Sequence, residues 1–279
     1  MDIDGKKLAK EVLHGVERDV EALQAEGISI TLAVVLVGDN EASLNFVNKK
    51  KKQASNVGIN FELFHFKEDI SEKKLLQSVQ EIQDNPSITG LIVQLPLPKH
   101  IDKRGILDMV DPCKDVDCLT SINLGKLMTG TSRIKPPTAA AIEYALDQEN
   151  VLVEGKDIVI VGRGELVGKP LSIILTARSA TVTVCHSKTV DLASFTRKAD
   201  ILVSGVGRPN LISGDMVKDN AVIIDTGASF TKGVIVGDVC YEEVSKKARL
   251  VSPVPGGIGP ITVSKLLENC VILARACGQ

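Results

Sequence analysis

Two stretches of strand–helix alternation dominate the chain. Ile28 to Val37 is apolar almost without interruption, the pattern of a strand covered on both faces in a parallel sheet. Before it, Leu8, Val12, Val16, Val20 and Leu23 recur at three- and four-residue steps, so residues 5 to 25 read as an amphipathic helix ended by Gly27. After it come a helix from Ala42 to Asn56, a strand from Ile59 to Phe66, a helix over 71–84 and a strand from Ile88 to Gln94. After Gln94 the chain reads as long irregular stretches, through Lys114 and on to Thr138. A second series opens with a helix at Ile142, and its strands are Asp157 to Val161, Ala180 to Cys185, Asp200 to Ser204 and Ala221 to Asp225. From Pro260 onward, Val263, Leu267, Cys270, Val271 and Ala274 fall on one helical face. Such alternation predicts an α/β fold of parallel sheets with helices on their faces.

Three segments break the pattern, and each forces backbone into irregular shape. Val251 to Pro260 carries three prolines and three glycines, so the segment is expected neither to continue as a helix nor to pair as a central strand. Gln94-Leu95-Pro96-Leu97-Pro98 follows a strand end, and Gly162 to Pro170 joins a strand to a helix. Ligands of parallel α/β sheets bind at those carboxyl ends. Together the three loops predict a cleft for a flat, two-part ligand.

Bulk composition narrows the classes. With 279 residues, 44% hydrophobic and 24% charged, the chain can build two ordinary domains. A net charge of −2, no Trp and only two Tyr give no electrostatic or stacking basis for a nucleic-acid partner. Six cysteines (113, 118, 185, 240, 270 and 277) show no paired spacing and no companion histidines, so no metal is expected. The charged opening Met1-Asp-Ile-Asp-Gly-Lys-Lys and the lack of a long apolar run predict a cytoplasmic protein without a membrane partner.

The strand Asp157–Val161 runs into Gly162-x-Gly164-x-x-x-Gly168, followed by a helix near Lys169-Pro170. This is a spaced variant of the dinucleotide fingerprint, in which bare backbone approaches phosphate at a helix N-terminus. An NAD site usually carries an acid at the end of the next strand. Here His186-Ser187-Lys188-Thr189 has none, and Arg163 sits in the glycine loop, so a 2′-phosphate and hence NADP is favoured. In the first half, Phe46 and Lys50 lie one turn apart on the helix from Ala42. Lys49 to Lys52 cover every face of that helix, so one is expected to point inward. Gln94 enters the proline loop, and either Asp115 or Asp117 is suited to accept hydrogen bonds from an amine-rich heterocycle.

These pieces resemble, in order and over nearly the whole chain, the methylenetetrahydrofolate dehydrogenase/cyclohydrolase family. The carrying motifs are Gln94 to Pro98, Lys114 to Asp117, Gly162-Arg163, Val167 to Pro170, His186 to Thr189 and Pro253-Val-Pro255-Gly256-Gly257. The resemblance implies two α/β domains flanking a cleft, the second a Rossmann-type doubly wound parallel sheet. It implies a catalytic folate-binding domain of residues 1–138 plus 258–279, an NADP-binding domain of 139–257, and a homodimer. By position it implies catalysis by Lys50, Gln94 and Asp117, and substrate contacts at Phe46, Leu95, Pro96, Pro253, Pro255, Gly256 and Gly257. Cofactor contacts are implied at Gly162, Arg163, Gly164, Val167, Gly168, His186, Ser187 and Lys188.

The family activity implied is NADP-dependent oxidation of 5,10-methylenetetrahydrofolate, then hydrolysis of the methenyl product to 10-formyltetrahydrofolate. Hydride transfer needs the two ligands held at near-attack distance and moves no proton. Hydrolysis needs a base, and burial or a neighbouring cation makes a lysine able to serve. Three departures stand out: Phe46 replaces a usual tyrosine, Pro136-Pro-Thr-Ala-Ala-Ala141 replaces a Pro-Cys-Thr-Pro motif, and Gly164 replaces a serine. Two other readings stay open here, a dehydrogenase with weak or absent hydrolysis and a non-catalytic NADP-binding sensor.

Overall fold

The computed structural model describes residues 1–231 and 234–277, with side chains 230, 231 and 277 outside the described set; the Cys277 thiol therefore lies outside the described residues. The chain divides into two compact units. One holds Glu11 to Pro136 with the residues from Val263 onward, and the other holds Met1 to Lys10 with Pro137 to Thr262.

The first unit contains most of α1 (Gly5–Ala25), β1 (Thr31–Val37), α2 (Glu41–Asn56), β2 (Asn60–Phe66), α3 (Glu72–Asp84), β3 (Gly90–Val93), α4 (Lys103–Met109) and α5 (Ser121–Met128). Its sheet is parallel, in the order β2-β1-β3. All seven residues of β1 are buried, as its apolar run demands for the central strand. Ala33, Val35 and Val37 of β1 pack with Leu75, Val79 and Ile82 of α3 and with Ile106 and Leu107 of α4. Each such leucine or isoleucine contributes about 1.5–3 kcal/mol relative to exposure. Asn40 caps α2, its side chain accepting from the Ser43 N–H at 3.0 Å, which fixes where the helix carrying Phe46 and Lys50 begins.

The stretch expected to be irregular before Thr138 contains two helices. α4 is capped by Asp102, which accepts from the Arg104 and Gly105 N–H groups, and α5 by Thr120, which accepts from Asn123 N–H. At seven and eight residues they are too short to show helical periodicity, so only their caps marked them.

The second unit is built from α6 (Pro137–Gln148), β4 (Asp157–Val161), α7 (Gly168–Ala177), β5 (Thr181–Cys185), α8 (Leu192–Thr196), β6 (Ile201–Ser204), β7 (Val222–Asp225), β8 (Ser229–Thr231), β9 (Val234–Val236), α9 (Tyr241–Val244), β10 (Leu250–Val251) and the start of α10 (Ile258–Cys277). Its parallel five-stranded sheet runs β10-β7-β6-β4-β5. The chain leaves β4 in one direction to β5, then crosses back to β6 on the other side. That reversal between β4 and β6 is the switch point of a doubly wound sheet.

Several boundaries differ from the sequence reading. β1 starts at Thr31, not Ile28, and α6 starts at Pro137, so Ala139 to Ala141 lie inside its first turns. Residues 258–260 are not loop but the first turn of α10, where Pro260 is tolerated because no N–H is needed there. Val251 ends β10, an edge strand. Buried Leu267, Cys270, Val271 and Ala274 bear out the predicted inner face of α10. No helix among the described residues is long and apolar enough to cross a membrane.

Candidate active site and dinucleotide loop

In the first unit the helix α2 and the end of β3 bring two predicted residues together. The Lys50 ammonium donates to Gln94 Oε1 at 3.0 Å. The amide is held in turn, since Gln94 Nε2 donates to the Leu95 carbonyl at 2.9 Å and its backbone N–H to Val35 O at 2.8 Å. This leaves the amide oxygen free to take the ammonium. Of the four lysines from 49 to 52, Lys50 alone is half-buried. The Lys49 ammonium sits 5.7 Å from the Phe46 ring centroid, and Phe46 is 39% exposed, so one ring face is already covered by a cation.

The two carboxylates of the acidic pair have different tasks. Asp115 is buried and fully engaged, accepting from Leu119 N–H, Thr120 N–H and Asn123 Nδ2 at 2.9–3.0 Å. It organises the turn into α5. Asp117 is the one whose carboxyl feels the Lys50 charge. Burial pushes its carboxyl up, the Lys50 ammonium pulls it back down, and the Asp115 charge adds to the rise. The Cys270 thiol, pushed up to about 12 by burial and then by the Asp117 charge, stays a thiol beside them.

Sequence reasoning missed what pins Asp117. Leu91 N–H of β3 donates to Lys114 O at 2.7 Å, and Asn269 of α10 donates through Nδ2 to Val116 O at 2.8 Å and to Lys135 O at 2.9 Å. The signal was a lone amide within the apolar face Leu266-Leu267-x-Asn269-Cys270. A buried Asn in such a run must be hydrogen-bonded, and here it fastens the Asp117 segment.

Leu95 and Pro96 follow directly from Gln94 at the carboxyl edge of the sheet, with Leu95 half-buried and Pro96 exposed. Both the Leu95–Pro96 and Val254–Pro255 peptide bonds are cis. Pro253, Pro255, Gly256 and Gly257 belong to the second unit, where Gly257 N–H donates to Pro253 O at 2.8 Å to close a tight turn.

The second unit also gathers the predicted dinucleotide residues at the carboxyl ends of β4 and β5. Gly162, at φ +118°, is in a region closed to other residues, and its N–H donates to Cys185 O at the end of β5 at 2.8 Å. Gly168 opens α7 and lies so close to Gly162 that a Cβ would overlap the Gly162 carbonyl oxygen. Gly164 is different, with nothing within 4 Å of its would-be Cβ and no special φ, so its bare backbone serves no packing need. Arg163 and Gly164 are exposed, and the Val167 side chain makes no hydrogen-bonded cap for α7. At the end of β5, His186 Nδ1 accepts from Lys188 N–H and Thr189 Oγ1 accepts from His186 N–H, a turn that presents Ser187 and Lys188 to solvent. An open glycine backbone, a helix N-terminus and two exposed cations, with no carboxylate in the His186–Thr189 turn, fit a phosphorylated dinucleotide.

Beyond those loops, at the ends of β6 and β7, stand two buried carboxylates outside the sequence reading, Asp225 and Asp238. Burial raises the Asp225 carboxyl to about 6, against the Val239, Asp238 and Gly227 N–H groups that pull it down, with the Asp238 charge adding to the rise. In the unfolded chain the group loses its proton near the ordinary 3.8. Between those values the folded state keeps a proton that the unfolded state has lost. The stabilisation is therefore complete below pH ~4 and disappears as pH rises through 6. The stability of the unmodified chain relative to Asp225→Asn is expected to fall by about 3 kcal/mol from pH ~4 to ~7.5 in urea unfolding. A difference independent of pH would show that the carboxyl is not raised.

Comparison with known proteins agrees with this geometry. The tetrahydrofolate dehydrogenase/cyclohydrolase catalytic-domain model matches residues 3–117, and the NAD(P)-binding-domain model of the same family matches 136–277. The bifunctional protein FolD of Nautilia profundicola is 44% identical over 98% of this chain and 96% of its own. That of Bacillus pumilus is 43% identical over 98% and 97%. Among solved structures, the bifunctional enzyme FolD methylenetetrahydrofolate dehydrogenase/cyclohydrolase of Campylobacter jejuni superposes with a TM-score of 0.96 at 40% identity, covering 99% of both chains. The Trypanosoma brucei methylenetetrahydrofolate dehydrogenase-cyclohydrolase, complexed with NADP cofactor and inhibitor, gives 0.95 at 34% identity, covering 99% and 98%. The chain belongs to the tetrahydrofolate dehydrogenase/cyclohydrolase family.

Proposed function

We propose that the chain oxidises 5,10-methylenetetrahydrofolate to the methenyl cation with NADP, and hydrolyses that cation to 10-formyltetrahydrofolate. Residues 1–138 with 258–279 serve the folate, and 139–257 the dinucleotide. The observation that carries this reading is the 3.0 Å bond from Lys50 to a Gln94 amide that is itself locked, with the buried Asp117 carboxyl within the influence of the lysine's charge.

NADP supplies the hydride acceptor. Gly162, Gly164, Val167 and Gly168 offer backbone to its pyrophosphate, while Arg163, His186, Ser187 and Lys188 take the 2′-phosphate end. Asp117 accepts hydrogen bonds from the amine edge of the pterin, Phe46 gives it an apolar face, and Leu95 and Pro96 extend that face. In the second unit, Pro253, Pro255, Gly256 and Gly257 keep the substrate-contact role that the family resemblance implies. Hydride transfer asks no more than that alignment, because the positive charge left behind is shared between two folate nitrogens.

Hydrolysis asks for proton movement. Lys50 in its neutral amine form, aimed by Gln94, takes a proton from water as the water oxygen bonds to the bridging carbon, and so becomes the ammonium. When the adduct collapses, one carbon–nitrogen bond breaks and the hydroxyl proton passes to the departing nitrogen, so one proton is released overall. Phe46 has no hydroxyl to assist, so this chemistry rests on Lys50 and Gln94.

A second copy of the chain is the proposed partner. Support comes from β2, an edge strand whose Leu63 is 41% exposed. A cytoplasmic setting is proposed with it, on the sequence reading. The test is an absorbance assay of methenyl formation from methylenetetrahydrofolate, run with NADP⁺ and NAD⁺ separately. NADP⁺ is expected to be preferred by at least about tenfold in kcat/KM, a difference of ~1.4 kcal/mol. No methenyl product with either nucleotide would overturn the reading.

A further inference from the structure

Within the second unit, two carboxylates that touch none of the predicted cofactor residues control the shape of three loops. Asp238 is fully buried and spends both oxygens on the segment after β6. Its Oδ2 accepts from Ser204 Oγ at 2.8 Å and from Val206 N–H at 2.7 Å, and its Oδ1 accepts from Arg208 N–H at 2.7 Å. Asp225 ends β7 and does the same for the next loops. It accepts from Gly227 N–H at 2.8 Å, Asp238 N–H at 3.1 Å and Val239 N–H at 2.9 Å. The two are therefore linked, because the backbone that carries one carboxylate is fastened by the other.

A third loop joins through Ser252. Its hydroxyl accepts from Asp225 N–H at 2.7 Å and donates to Asp225 O at 3.1 Å. Ser252 is fully buried and immediately precedes Pro253, so the turn Pro253 to Gly257 departs from a fixed point. Two glycines make room for the arrangement. A Cβ on Gly227 would overlap the Asp238 carboxylate, and one on Gly237 would overlap Asp225 Oδ2.

The fastened segment abuts the glycine loop. A Cβ on Gly162 would lie 2.9 Å from Gly205 O, and one on Gly205 would lie 3.6 Å from the Val167 side chain. The strand order then assigns the ends of the ligand. From the switch point between β4 and β6, the β5 side takes the adenosine end of a dinucleotide and the β6–β7 side its nicotinamide end.

We propose that Asp238 and Asp225 are positioning residues for hydride transfer, holding the β6 and β7 loops and, through Ser252, the Pro253–Gly257 turn in the shape that receives the nicotinamide ribose. This rests on the reading of the second unit as the dinucleotide site. A carboxylate suits the task because it offers lone pairs to several N–H groups at once and donates to none. Asparagine keeps the volume of Asp238 but turns one acceptor into a donor facing either Val206 N–H or Arg208 N–H. One loop must then move.

The test compares the unmodified chain with Asp238→Asn and Asp225→Asn, measuring binding of NADP⁺, binding of 2′,5′-ADP as the adenosine half alone, and kcat and KM for hydride transfer. In Asp238→Asn, kcat is expected to fall at least tenfold and NADP⁺ binding to weaken at least fivefold, with 2′,5′-ADP binding held within twofold. Asp225→Asn is expected to show the same split with smaller size, since Asp238 still holds the β6 loop. Unchanged hydride kinetics in Asp238→Asn would overturn the positioning role. Equal loss of NADP⁺ and 2′,5′-ADP binding would overturn it too, by showing a general loosening of the fold. Should the unmodified chain bind neither NADP⁺ nor 2′,5′-ADP, the dinucleotide reading itself fails, and a failure of that kind is distinct from the other two.

Discussion

Replacing Lys50 by methionine is expected to lower hydrolysis of the methenyl cation by about 10²–10⁴-fold, the usual span for loss of a positioned acid–base group. Hydride transfer is expected to fall by less than about tenfold, since that step needs alignment and no proton carrier. Methionine preserves the apolar stem of the lysine, so packing on α2 survives while the 3.0 Å bond to Gln94 is lost. A second effect separates a local change from collapse of the site. The Lys50 ammonium is the main influence pulling the Asp117 carboxyl down against its burial. Without it that carboxyl rises further, so the acid limb of the hydride-transfer pH profile moves to higher pH. Both rates are read from methenyl absorbance over a pH series. Hydrolysis unchanged in Lys50→Met would remove the lysine from the mechanism, and loss of both activities in equal measure would make it a structural residue.

Alanine at Gly168 is expected to cost about 4 kcal/mol or more, well above the common range for single substitutions. Its Cβ overlaps the Gly162 carbonyl oxygen and comes within 3.0 Å of Arg163 Cα, and backbone cannot step aside as a flexible side chain does. Gly162, with φ +118°, has nowhere to shift. Alanine at Gly164, four residues earlier, meets nothing within 4 Å, so stability is expected to change by no more than about 1 kcal/mol. NADP⁺ binding by Gly164→Ala is expected to weaken about tenfold or more, because on the proposed reading the added methyl enters the space that phosphate would take. Urea unfolding and nucleotide titration of the two variants decide the matter. Full NADP⁺ affinity in Gly164→Ala would show that the ligand does not lie against that residue.

What was readable along the chain had a local cause. Strand β1 is apolar at every position because it is covered on both faces, and the face of α10 repeats at helical spacing because one side meets the core. The glycine loop was legible for the same reason, since its constraint acts within seven residues. Helices α4 and α5 were not, because two turns are too few for a period to emerge. The choice between Asp115 and Asp117 lay beyond composition as well. They are two residues apart and identical in chemistry. The family resemblance singled out Asp117, and the fold adds the reason, with Asp115 fully occupied at the turn into α5 while Asp117 feels the Lys50 charge.

The amino-acid order by itself determined the α/β class, the parallel sheets, the glycine-loop cradle and the family, because each depends on patterns spanning a few residues or on motifs kept in sequence. Tertiary structure alone decided that Lys50 meets Gln94, that Asn269 pins the Asp117 segment from 153 residues away, and that Asp225 and Asp238 lock loops from separate strands. The reason is that a side chain's protonation and aim depend on what folding removes from water around it. Those neighbours arrive from distant parts of the chain, where no local pattern records them.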